Sequence, residues 1–131
     1  MQSKTKNTIR VAVALCLASA LCGAANGQEI PPACAQIVLA TEICSADIAN
    51  WLDFNDPVSA AKVRENDEKS IAKLKEDLQL WGKEKGTIAV AQFCAGDLKR
   101  KVIGQLGGSL FPILMNHGDA SNCQNTLATM Q

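Results

Sequence analysis

The chain has 131 residues with thirteen basic and thirteen acidic side chains, so it carries no net charge at neutral pH. This length suits one domain with one modest core. The balanced charge excludes a strongly basic surface, which would be needed to replace the counterions around phosphates, so we expect no nucleic-acid partner.

The first 27 residues have the pattern of a secretory signal peptide. Three basic side chains and no acidic ones occupy the first ten positions, and an apolar run over residues 11–22 follows. This run is shorter than the roughly 20 residues that a membrane span needs. Small residues at Ala25 and Gly27 predict cleavage before Gln28, with a cut after Ala24 as the alternative.

Cleavage leaves residues 28–131 as a single domain with ten basic and thirteen acidic residues, a net charge of about −3. A lipid-modified Cys22 would need a small residue before it, and the sequence has Leu21 there. We therefore expect an exported protein, periplasmic or extracellular, with no integral membrane span in the mature chain.

Four cysteines remain after the leader, namely Cys34, Cys44, Cys94 and Cys123. An even number of cysteines in a small exported domain predicts two disulfides rather than reactive thiols or a metal site.

The most apolar segment after the leader, residues 31–52, predicts a largely buried first helix. The Pro31–Pro32 pair suits a helix start. Its apolar residues recur at steps of three and four, which defines one helical face. These residues are Cys34, Ile37, Val38, Thr41, Cys44, Ile48, Trp51 and Leu52. Trp51 is expected to pack in the core at the end of this helix.

Turn-forming residues 53–56 separate the first helix from a second one. Asp56 is the predicted N-cap, with Pro57 at the first helical position. The second helix is expected to run to Trp81 or Lys85, with a charged and solvated first half that contains an i, i+4 pair between Glu65 and Lys69.

Glycines organise the rest of the chain. Gly82 and Gly86 are expected to end the second helix, and Thr87 to cap a third. Residues 102–115 are uncharged and contain three glycines, which predicts a loosened segment and a short helix capped by Ser109 and ended by Gly118. A last short helix or tail should follow, capped by Asp119 or Ser121.

The helices restrict the disulfide pairing. Cys34 and Cys44 lie ten residues, or about 15 Å, apart on one helix, so they cannot bond to each other. Two pairings remain. If the second helix descends beside the first and the third climbs back, Cys94 lies level with Cys34, which favours Cys34–Cys94 and Cys44–Cys123. A bend in the second helix would reverse this preference.

Residue patterns for catalysis or metal binding are few. His117 is the single histidine and lies where a helix C-terminus would favour a positive charge. No G-x-S-x-G motif or phosphate-binding glycine loop occurs, and disulfides would remove the sulfur ligands of a zinc site. We therefore predict no catalytic residue, no metal and no cofactor.

The sequence thus predicts an all-α bundle of three main helices plus a short C-terminal helix, held by two disulfides. The first functional hypothesis is a non-enzymatic protein-binding module, such as an inhibitor, an immunity-type protein or an envelope adaptor. Its expected surface combines the charged residues 62–69 with the exposed part of residues 102–115.

The alternative hypothesis is a carrier that holds a small apolar ligand between its helices. The candidate partner or ligand surface for these two hypotheses consists of Trp51, Trp81, Phe93, Leu110, Phe111 and Leu114. In a carrier the aromatic residues should line one cavity, and in a binding module they should be packed solid. A weaker alternative, suggested by the uncharged run 102–115, is a secreted effector that acts on membranes.

Overall fold

The computed structural model describes residues 29–131, and the regular elements in this range are all helices. They are α1 (Pro32–Asn55), α2 (Pro57–Lys85), α3 (Thr87–Phe93), α4 (Lys99–Met115) and α5 (Ser121–Thr129). A π-helical turn, Cys94–Leu98, joins α3 to α4 without a break, so these parts form one long third helix. The predicted fold of three main helices and a short C-terminal helix is confirmed. The predicted signal peptide, residues 1–27, lies outside the described residues.

Helix α1 is the centre of the bundle, and each of the other helices packs against it. Its buried side chains include Cys34, Ile37, Val38, Ala40 and Cys44. By length and composition alone α1 could also cross a membrane, a property that core helices of soluble proteins share. Here its apolar side chains are part of the core cluster of the bundle.

Both predicted disulfides are present, and each joins α1 to a distant part of the chain. Cys34 bonds Cys94 at the start of the π-helical turn, with 5.0 Å between their Cα atoms. Cys44 bonds Cys123 in α5, with 4.5 Å between their Cα atoms. The predicted connectivity is confirmed. As expected, α2 descends beside α1 and the third helix climbs beside it, so Cys94 lies level with Cys34.

The corner between α1 and α2 has the predicted capping geometry. The backbone N–H of Ser59 donates to Oδ1 of Asp56 at 3.1 Å, and the Ser59 hydroxyl donates to Oδ2 at 2.6 Å. Pro57 occupies the first helical position. Arg64 of α2 forms an ion pair with Asp53 of α1, eleven residues earlier in the sequence. Its guanidinium donates two hydrogen bonds to the carboxylate, and the one from Nη1 to Oδ1 measures 2.8 Å. These contacts fix the start of α2 against the end of α1.

The α2–α3 corner differs from the prediction. Gly82 stays within α2, and only Gly86 interrupts the chain, with φ of 88°. Glycine adopts this positive-φ conformation without steric cost, so this single residue can redirect the chain from one helix to the next. The Thr87 side chain makes no capping hydrogen bond, so its predicted role as N-cap is wrong.

The expected break in residues 102–115 is also wrong. Helix α4 continues through Gly104, Gly107 and Gly108, and the Ser109 hydroxyl donates to the carbonyl of Gln105 at 3.0 Å instead of capping a new helix. Each glycine costs a helix about 1 kcal/mol relative to alanine. Packing of the inward side chains of α4 against the core offsets this cost.

The π-helical turn has a cause in the spacing of the apolar residues. Along the third helix they recur every four residues, at Val90, Cys94, Leu98, Val102, Leu106 and Leu110. In an α-helix a four-residue step overshoots one turn by about 40°. A π-helical turn is wider, so it keeps more of these side chains directed at the core.

Helix α4 ends in a Schellman motif with histidine in the usual place of glycine. The N–H of Gly118 donates to the carbonyl of Ile113 at 2.8 Å, and the N–H of His117 donates to that of Leu114 at 3.2 Å. His117 has φ of 56°, a left-handed conformation that is uncommon for residues with a side chain. Gly118 therefore lies one position beyond the residue that reverses the helix.

The short helix α5 is capped by a residue from another helix. Asp47 of α1 is almost fully buried, and its Oδ2 accepts the N–H of Cys123 at 2.8 Å. Its Oδ1 accepts the side-chain amide of Asn122 at 3.1 Å. The N-cap position of α5 is Ala120 rather than the predicted Asp119 or Ser121. Asp119 makes only a turn contact, in which its Oδ1 accepts the N–H of Ser121 at 2.9 Å.

Candidate functional site

Five large apolar side chains remain exposed near the C-terminal end of α1. They are Phe54, Val58, Phe111, Leu114 and Met115, and we refer to them as the apolar end surface. Phe54 is 91% exposed, and Phe111 and Met115 are each 64% exposed. Side chains of this size are costly to leave in water.

Two contacts bring these residues to the same end of the bundle. A Cβ built on Gly118 would lie 2.6 Å from both Trp51 of α1 and Ile113 of α4, so the last turns of these helices are neighbours. The ion pair between Arg64 and Asp53 holds the first turns of α2 at the same end. Phe54, Val58 and the last turns of α4 are therefore displayed together at this end.

The helical repeat explains why the α4 residues are exposed. Leu110 and Ile113 point into the core, with exposed fractions of 2% and 1%. Residues one position further along point to other sides of the helix, which leaves Phe111 and Leu114 outside. Leu110, predicted as part of the partner or ligand surface, is buried and does not contribute to the exposed surface.

Charged residues neighbour Phe54 and Val58 along the chain. Hydrogen bonding from Arg64 holds the pKa of Asp53 below its usual range and raises that of Arg64. Hydrogen bonds from the side chain and backbone of Ser59 likewise lower the pKa of Asp56. Both carboxylates are ionised at neutral pH.

The charged segment 62–69 of α2 forms a solvated face. Lys69 donates to Glu65 at 2.6 Å, which confirms the predicted i, i+4 pair, and both side chains are exposed. Such pairs add only a few tenths of a kcal/mol. The face is exposed to solvent. It contacts the end of α1 that carries the apolar end surface through the Arg64–Asp53 ion pair.

Trp81 and Phe93 meet at the opposite end of the molecule. Their ring centroids are 5.6 Å apart at an interplanar angle of 72°, an edge-to-face pair. Together with Lys85, Ala89 and Val90 they line an open cleft of about 240 Å³. Of the four predicted aromatic residues, only these two are in contact.

Trp51 and Phe111 do not contribute to this cleft. Trp51 is half-buried against the core at the far end of α1, where it contacts the backbone of Gly118. Phe111 projects from α4. The aromatic residues that the carrier hypothesis places around one cavity are thus divided between two ends of the bundle.

His117 is exposed at the turn after α4, where its role is in the backbone geometry. Among residues 29–131, no group of three or more histidine, cysteine, aspartate or glutamate side chains is placed to hold a metal ion.

Sequence reasoning missed Phe54 and Val58, whereas Met115 belongs to the exposed part of residues 102–115 that was predicted as a surface. The sequence predicts Phe54 as part of the turn 53–56, but this is wrong because α1 continues to Asn55 and Phe54 lies in its last turn. A large aromatic residue in such a polar segment was the available signal, since an exposed turn gives it no core to enter. Val58 gave no comparable signal, because it fits an ordinary helix pattern.

Comparisons with protein-family models, with curated proteins and with solved structures find no match for this chain. Any functional proposal therefore depends on the geometry of the two exposed sites, the apolar end surface and the Trp81–Phe93 cleft.

Proposed function

We propose that this protein is an exported, non-enzymatic binding module that docks on another protein through its apolar end surface. The observation that carries the proposal is the exposure of Phe54, Val58, Phe111, Leu114 and Met115 at one end of a rigid, doubly crosslinked bundle. Phenylalanine and methionine are enriched in interface cores.

The exposed apolar side chains can supply a modest binding affinity. Fully burying one large apolar side chain contributes about 1.5–3 kcal/mol, and five partly exposed ones together contribute on the order of 10 kcal/mol. Association costs about 4–15 kcal/mol in lost freedom. The apolar surface alone thus gives modest affinity, and the neighbouring charged groups Asp53, Asp56 and Arg64 would add specificity.

The two disulfides support a location outside the reducing cytoplasm, since such bonds persist in oxidising compartments. We include a periplasmic or extracellular location in the proposal. A membrane as the docking partner is less favoured, because the residues beside the apolar end surface include Asp53 and Asp56, which anionic lipid would repel.

Site-specific photo-crosslinking in the cells that export the protein tests this proposal. A photoreactive phenylalanine analogue replaces Phe111 in one variant and Phe54 in another. The matched control replaces Gln36, an exposed residue near the other end of α1. A fourth variant carries the analogue at Glu65, on the charged face of α2.

We expect one discrete protein adduct from positions 111 and 54 and none from position 36. Substituting Phe54→Ser should remove the adduct formed at position 111, whereas Leu39→Ser, an exposed apolar residue elsewhere on α1, should leave it unchanged. Equal labelling from all four positions, or adducts with lipid only, would overturn the proposal. An adduct from position 65 alone would move the docking surface to α2.

A further inference from the structure

We infer that the Trp81–Phe93 cleft is a second, independent site that binds a small amphipathic anion, an aromatic ring or short chain bearing one carboxylate. The cleft is formed by the last turn of α2 and by α3. It is separate from the apolar end surface and does not depend on the proposed docking function.

The corner at Gly86 shapes the cleft. Trp81 and Lys85 are one turn apart on α2, and Ala89 and Phe93 are one turn apart on α3. A single residue with φ of 88° joins the two helices, so their side chains face each other across the corner. Ala89 has the smallest side chain of the lining, which leaves room beside the paired rings of Trp81 and Phe93.

The size of the cleft limits what it can hold. Its volume is about 240 Å³. An apolar cavity of about 150 Å³ holds benzene, and pockets for drug-sized ligands have about 300–1,000 Å³. The cleft therefore suits one ring or a short chain and is too small to enclose a two-chain lipid.

The chemistry of the lining indicates the charge of the ligand. Trp81, Ala89, Val90 and Phe93 present an apolar wall, and Phe93 is 38% exposed, so a ring can pack on it. Lys85 is the one charged residue of the lining. Within residues 29–131 no carboxylate forms an ion pair with its ammonium group, although five such pairs occur elsewhere. A ligand carboxylate would complement this ammonium group.

The two sites are far apart along α1. Val90 of the cleft lies beside Cys34, whose Sγ is 3.6 Å from the Val90 carbonyl oxygen. The apolar end surface lies beside Trp51, seventeen residues or about 26 Å further along the same helix. A ligand in the cleft therefore leaves the apolar end surface uncovered.

Titration followed by NMR tests the inference with two matched probes, 3-phenylpropionate and its neutral amide. The readout is the indole N–H signal of Trp81 in the oxidised protein, and the Trp51 indole serves as an internal control. We expect the carboxylate to shift Trp81 and not Trp51, with a Kd of roughly a millimolar. The amide should bind about threefold more weakly, as expected for a solvent-exposed ion pair.

Three exposed substitutions, one of them a control, separate the role of the charge from that of the cleft. Lys85→Gln should bring the two probes to equal affinity, while Lys83→Gln, a neighbouring lysine outside the lining, should preserve the difference. Ala89→Leu should fill the cleft and remove binding of both probes. The inference is overturned if Trp81 does not shift at about 10 mM probe, if both indoles shift alike, or if Lys85→Gln has no effect.

Discussion

The backbone of Gly118 lies directly against the indole ring of Trp51. A Cβ atom at position 118 would be 2.6 Å from Cδ1 and 2.7 Å from Nε1 of Trp51, and also 2.6 Å from Cγ2 of Ile113. No Cβ atom fits at these distances. Glycine at position 118 is therefore required by packing between α1 and the end of α4.

This contact predicts opposite effects for two Gly→Ala substitutions. Gly118→Ala should destabilise the protein by about 1–3 kcal/mol, the usual cost of overpacking. Gly108→Ala should stabilise it by up to about 1 kcal/mol, because that position is helical and its Cβ would meet open space. Thermal unfolding of the oxidised variants measures both. Equal destabilisation of the two would contradict the assigned packing.

His117→Gly should increase stability by roughly 0.5–1 kcal/mol. His117 adopts a left-handed backbone conformation at the end of α4, with φ of 56°. Glycine adopts this conformation without the steric cost of a Cβ atom. This gain outweighs the greater conformational entropy that glycine loses on folding. Denaturant unfolding measures the change, and His117→Ala, which keeps the Cβ atom, is the matched control. A loss of stability in the glycine variant would show that the imidazole makes a stabilising contact.

Asp47→Ala should cost about 1–3 kcal/mol. The substitution leaves the N–H of Cys123 buried without its acceptor, and it removes the cap of α5. Asp47→Asn keeps a side-chain oxygen and should lose less. Hydrogen exchange of the Cys123 amide distinguishes the two variants, with fast exchange expected in the alanine variant alone. If the amide stays protected there, another group must accept its hydrogen bond.

Removing either disulfide should cost about 4 kcal/mol in the chain-entropy model, since the bonds close loops of 60 and 79 residues. The structural consequences should differ. Replacing Cys44 and Cys123 by serine should release α5, because an isolated helix of nine residues is not stable in water. Limited proteolysis should then cut near α5 first. The Cys34 and Cys94 double variant should instead open at α3. Identical cleavage patterns would contradict this division.

The pH dependence of stability has a definite sign. Hydrogen bonds lower the pKa of Asp53, Asp56 and Asp119 in the folded protein, from Arg64, Ser59 and Ser121 respectively. Groups with lowered pKa values bind fewer protons when folded, so their stabilisation is present above the unfolded value of 3.8 and is lost as pH falls through the folded values.

The melting temperature should therefore change little between about pH 7 and 5 and should fall below about pH 4. Asp56→Asn retains a capping oxygen and loses the titration, so its melting temperature should fall less steeply in acid. A melting temperature that rises on acidification would contradict the assigned hydrogen bonds. Measurements at two salt concentrations would show how much of the effect is general charge repulsion.

Local patterns in the sequence determined much of the fold. The three- and four-residue spacing of residues 34–52 defined α1, Asp56 and Pro57 defined the start of α2, and the cysteine positions limited the disulfides to two pairings. Each of these features depends on neighbours in the chain or on the known rise of a helix. These features can therefore be predicted from the sequence alone.

Only the tertiary structure decided which residues are exposed and which glycines end a helix. Each of Gly104, Gly107 and Gly108 could interrupt a helix as Gly86 does. They stay helical because α4 packs against the core. Leu110 and Phe111 are adjacent and equally apolar, and one is buried while the other is exposed. Trp81 and Phe93 became neighbours only through the turn at Gly86. These outcomes depend on contacts between residues distant in sequence, which no local pattern encodes.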